Sequence, residues 1–82
     1  MPKFFMFLGY WIGRFSLEED RPHVHVTKFG SSESMKVWLE PKLEVEHIHG
    51  INAATANRIL EEIRSRKDEC LAKWYACERK SR

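Results

Sequence analysis

Two short elements in this 82-residue sequence carry side chains that could do chemistry: His23-Val24-His25 and His47-Ile48-His49. Residues i and i+2 of an extended strand point the same way, so each pair could grip one metal ion through two imidazoles. Brought together, the pairs would supply four ligands, but neither Asp nor Cys accompanies them. Solvated or hydrogen-bonded histidines are the first expectation. A metal site of His23, His25, His47 and His49 is the secondary one, and no cofactor is expected. The sequence holds no G-x-G-x-x-G, no phosphate-binding Gly-Lys-Ser/Thr loop, no C-x-x-C and no H-E-x-x-H. Ser31, Ser32 and Ser34 lack an evident acidic orienting partner, so a hydrolase is not read from them.

The elements that must position these groups change character near Gly50. Eight of the ten aromatic residues precede it, among β-branched residues, Gly and Pro; an Ala/Leu/Glu/Lys/Arg-rich run without Gly or Pro follows. The first part wants strands and the second helix. Strands are predicted at 3–8 and 10–18, bent at Gly9, then at 23–29 and 34–40, with a short edge strand at 43–49. Turns are predicted at 18–22 and at Gly30–Ser32, and Pro41 stops pairing. Asn52 is a good N-cap, with Ile51 and Ala56 placed as a hydrophobic staple. Ala56, Ile59, Leu60, Ile63, Cys70, Leu71, Trp74 and Cys77 then form one stripe to about residue 78. The expected fold is α+β: a single domain, 1–82, whose antiparallel meander of three to five strands (1–49) packs on one long helix (52–79). A break near Arg66 is the second choice.

One helix covers one face of a small sheet, and alternation sorts the side chains. Val24 and Val26, like Met35, Val37 and Leu39, want the helix. On the second strand Trp11, Phe15 and Leu17 are assigned to that same side. The leftover sets then gather Tyr10, Arg14, His23, His25, Lys36 and Trp38 on the other face. Such a surface could move protons through imidazole, bind phosphate or carboxylate through guanidinium, and stack bases on indole.

Composition bounds the reading. A domain this short buries only about 60% of the surface its unfolded chain exposes, so a partner or dimer is plausible. Hydrophobic residues make up 43% of the chain, which supports a core. The net charge of +2 is too small to argue for nucleic acid by itself, although residues 51–82 carry eight basic and five acidic side chains, ending in Arg79, Lys80 and Arg82. Cys70 and Cys77, seven residues apart on a helix, lie about 10 Å apart along its axis, beyond disulfide reach. Two free thiols suit a reducing compartment, so a cytoplasmic protein is expected. The apolar run 4–12 is too short to span a membrane and reads as strand.

Gly9-Tyr10-Trp11-Ile12 with Arg14, the run from Asp20 through Pro22-His23-Val24-His25 to Val26, and the ending Glu69-Cys70-Leu71-Ala72-Lys73-Trp74 resemble the family known as domain of unknown function 4160. The likeness covers nearly the whole chain. It departs at Arg21, where a second Pro is common, and at Glu62, Ile63 and Arg66, where the family often has Trp and His. Its members resemble small bacterial proteins encoded beside another small domain, in a toxin–antitoxin-like arrangement. The resemblance therefore implies a partner protein, a cognate small protein, and allows RNA; the small size of the domain adds a second copy of the chain as the other candidate partner. Carried over, the matching positions are Arg14, Pro22, His23, His25 and Trp74: the polar Arg14, His23 and His25 belong to the working face and Trp74 to the core. Three functions are expected in this order: a protein-interaction component of such a pair, a metal-independent ribonuclease or RNA-binding module using Arg14, His23 and His25, and a metal-binding module. The sequence leaves open whether the chain is an enzyme.

Overall fold

Phe7 pairs with Tyr10 across a two-residue turn, Leu8-Gly9, whose φ angles are 53° and 82°. Two successive positive φ values make the tight hairpin turn whose twist matches that of the flanking strands. In the computed structural model, which describes residues 3–15 and 21–80 (the last four by backbone only), this turn opens a sheet of five strands. They are β1 (Lys3–Phe7), β2 (Tyr10–Gly13), β3 (His23–Thr27), β4 (Ser34–Trp38) and β5 (Glu44–His49). Each pairs antiparallel with the next, in the order β1-β2-β3-β4-β5. The short connections dictate this meander, because antiparallel neighbours need only a turn between them.

Two helices follow, α1 (Ala53–Ser65) and α2 (Lys67–Lys80), where one long helix was the first expectation. Asn52 caps α1, its Oδ1 accepting from the Thr55 N–H at 2.8 Å, and the staple residues Ile51 and Ala56 are both buried. The break falls at Arg66, with φ −110° and ψ 21°. Its N–H is shared between the carbonyls of Glu62 and Ile63, and its own carbonyl accepts from Cys70 N–H at 2.9 Å. The Arg66 side chain donates to Glu62 Oε2 at 2.8 Å and lies over the Phe5 ring at 4.3 Å. Anchored there, the chain restarts as α2 and both short stripes reach one core.

That core joins Ile12, Val24, Val26, Met35 and Val37 from the sheet to Ile59, Ile63, Cys70 and Trp74 from the helices. Register confirms the side: Phe5 pairs with Ile12, Ile12 with Val26, Val26 with Met35. The second strand is shorter than predicted, because after Gly13 the chain leaves the ladder and Arg14 turns to α2. Its expected continuation through Ser16 and Leu17, most of the predicted 18–22 turn, the side chain of Cys77 and the terminal basic groups lie outside the described residues. Among the described residues no helix is long and apolar enough to cross a membrane.

Leu8 holds a left-handed backbone conformation with its side chain 41% exposed, so it bears strain without filling the core. Leu8→Asn should raise unfolding stability by about 1 kcal/mol in urea denaturation, since Asn-Gly is the favoured pair in such turns.

Candidate functional site on the sheet face away from the core

The pairing register assigns the other face row by row. One row runs Met6, Trp11, Thr27, Ser34, His49; the next Lys3, Gly13, His25, Lys36, His47; the third His23, Trp38, Glu44. His25, Lys36 and Trp38 thus share the face on which they were expected. Tyr10 and Arg14 do not. They lie with Ile12 on the core side, while Trp11, assigned from its apolarity to the helix, is on the open side. The correction follows from Ile12, whose position opposite Val26 decides the parity of the whole strand.

Tyr10 is buried in the core, with its hydroxyl donating to Glu33 and the Lys28 ammonium 5.4 Å from its ring centroid. The bond to Glu33 holds the phenol above its ordinary pKa, with burial adding to the effect. Glu33 is correspondingly held below the usual carboxylate range, by Tyr10 first and by the Ser31 hydroxyl second. This is a structural tie between β2 and the β3–β4 loop.

Arg14 is 2% exposed. Its guanidinium carbon stands 3.6 Å from the Trp74 ring centroid and its Nη1 donates to the Trp74 carbonyl at 2.9 Å. No carboxylate is paired with it among the described residues, so an indole face and a carbonyl carry its charge. His23 begins on the open face opposite Trp38 but is only 1% exposed. Trp74 covers it at a ring separation of 4.8 Å, and its Nδ1 lies 2.9 Å from the Arg21 carbonyl. The helix end therefore seals two of the residues expected on a working surface.

What remains at the surface is a set of half-buried rings, Trp11, Phe15, His25 and Trp38, with the sealed His23 linking the last two. Trp11 stacks on Phe15 at 5.5 Å, Phe15 on His25 at 4.2 Å and 8°, His25 meets His23 at 5.0 Å, and His23 meets Trp38 at 5.3 Å. Gly13, which has no side chain, pairs with His25 beside this stack. Two cations lie over Trp38: the Arg21 guanidinium at 4.2 Å and the Lys36 ammonium at 4.5 Å. Each also meets a carboxylate of β5, Glu44 at 3.3 Å and Glu46 at 3.5 Å. Sequence reasoning missed Trp11, Phe15 and Arg21; the Gly13 that leaves their side of β2 unfilled was the available signal.

Such a surface can stack flat groups, while its two cations are balanced by Glu44 and Glu46. It does not assemble the metal site, because His25 pairs with Lys36 and Lys36 with His47. The two His-x-His elements are thus two strand spacings apart, about 10 Å. Among the described residues no three potential ligands come together.

Trp74→Ala should cost about 3–5 kcal/mol in denaturant unfolding, as expected for removing a fully buried aromatic ring. Burial pushes the Cys70 thiol up to about 11. At pH 8 it is then about one part in a thousand thiolate, so site-resolved mass spectrometry should find Cys70 unalkylated until the protein is unfolded.

The family model described as Domain of unknown function (DUF4160) matches residues 9–75, from the first hairpin through Trp74. Neither the comparison with curated proteins nor that with solved structures gives a match. Because that match spans well over half of the 82 residues, the chain belongs to the DUF4160 family.

Proposed function

We propose that this protein is the interaction component of a two-protein pair of the toxin–antitoxin kind, and that it holds a small cognate protein on the sheet face away from the helices. The observation that carries the reading is the ring run from Trp11 to Trp38 with Arg21 and Lys36 over its end. Tryptophan and arginine dominate binding energy at protein interfaces, because they bury large area at fixed geometry. At the Trp38 end Arg21 and Lys36 already meet Glu44 and Glu46, so the partner finds a charge-balanced polar rim there beside the indole. The family resemblance adds the expectation of a neighbouring gene product.

Binding is favoured over catalysis because Arg14 and His23 are 2% and 1% exposed. A phosphodiester could not reach both. A second reading, RNA bound without cleavage, rests on Trp38 itself, since an indole with cations beside it also makes a stacking site for a base.

Co-expression with the product of the adjacent gene should yield a complex that co-purifies. Trp38→Ala should weaken it at least about tenfold, with circular dichroism unchanged. Failure of the two proteins to co-purify would overturn the proposal. Salt-dependent binding of single-stranded RNA by the isolated chain, lost in Trp38→Ala, would put the second reading in its place.

A further inference from the structure

The two edges of the sheet are treated differently. On β1 the Lys73 ammonium of α2 donates to the Phe4 carbonyl at 2.7 Å, and Arg66 at the helix break lies over Phe5, so the helical layer guards that edge. β5 has β4 on one side and, among the described residues, no strand on the other. Five of its six residues are exposed, including Ile48 at 44%. A bare strand edge is a template for another strand.

The sequence of β5 says which strand fits. It reads Glu44-Val45-Glu46-His47-Ile48-His49. Laid antiparallel on a copy of itself about a two-fold axis between Glu46 and His47, it sets Glu44 opposite His49, Val45 opposite Ile48 and Glu46 opposite His47. Every acid meets an imidazole and every aliphatic meets an aliphatic. In a regular strand this register is forbidden, because residues of odd and even number point to opposite faces. Here the pairing with β4 shifts between Lys36 and Val37, leaving Glu46 as the extra residue. Beyond the shift, Val45 and Ile48 are both on the core side, opposite Val37 and Met35. Glu44 and His49 are both on the open side, opposite Trp38 and Ser34. The irregularity makes the self-complementary register geometrically possible.

We infer that β5 pairs with β5 of a second copy of this chain, joining two five-stranded sheets across a two-fold axis into one continuous sheet. The symmetric contact covers Ile48 with Val45 of the other copy and satisfies the outer backbone groups of both edges. A single strand pair of about 20 Å is a small interface, so the dimer dissociates on dilution. The seam is the outer edge of β5 rather than the sheet face, although Glu44 and Glu46 also meet Arg21 and Lys36, and the inference stands or falls on the isolated chain, whatever becomes of the cognate-partner reading.

Sedimentation velocity of the isolated protein over a wide concentration range should show a monomer–dimer equilibrium. The double variant Glu44→Lys/Glu46→Lys and the double variant His47→Glu/His49→Glu each place like charges opposite one another. Each alone should dimerise at least about tenfold more weakly. Mixed, they should form a heterodimer, because lysines then face glutamates. All four positions are exposed, and circular dichroism checks that both variants fold. Hydrogen exchange gives an independent readout: amides of residues 44–49 should become protected as the wild-type concentration rises. A wild-type monomer at the highest concentration, or charge variants that dimerise as the wild type does, would sink the inference.

Discussion

Trp74 holds the molecule's far-separated parts together. Its indole is fully buried, takes the Arg14 guanidinium on its face at 3.6 Å and meets the His23 ring at 4.8 Å, while its carbonyl accepts from Arg14. One helical residue thereby clamps the end of β2 and the start of β3 across sixty positions of chain. Burying a guanidinium is costly unless its donors and charge are met; here an aromatic face and a backbone oxygen meet them in part, and among the described residues Nη2 is left buried without a hydrogen bond. The same clamp closes one end of the open face and converts two residues of catalytic type into structural ones. A small domain has little core to spare, and this one uses Arg14 and His23 as packing.

The consequence for the open face is a set of rings and charged groups in fixed positions. The rings from Trp11 to Trp38 hold one another in place, since each is in contact with the next. Ordered flat groups lose little freedom when a partner lands on them. Arg21 and Lys36 are held between Trp38 and the carboxylates of β5, so the charged end of the face is also positioned in advance. β5 therefore belongs to both surfaces: its open-side groups hold the cations of the ring run, and its outer edge faces away from the sheet. An event at that edge would be felt at Trp38 through Glu44 and Glu46.

Much of this was legible in the residues. The change of direction at Gly9, the strands at 23, 34 and 44, and the Asn52 cap follow from local chemistry: backbone freedom at Gly, alternation of Val with His or Lys, and a side-chain oxygen placed to meet an orphan N–H. The family membership was legible too, because Gly9-Tyr10-Trp11-Ile12, Pro22-His23-Val24-His25 and the terminal Trp74 are specific in combination. The face of β2 was not. Tyr10-Trp11-Ile12-Gly13-Arg14 carries large apolar groups on both parities, so alternation offers no preference.

By itself, then, the sequence determined an antiparallel meander followed by helix, with His25, Lys36 and Trp38 on the side turned from the core. Those features depend on neighbours within a few residues, which the chain states directly. Only the tertiary structure decided that Arg14 and Tyr10 turn inward, that Trp74 seals His23, and that β4 stands between the two histidine pairs. Each of these is a contact or register between residues far apart in the chain, and such choices are made by the packing of whole elements, which local pattern does not encode.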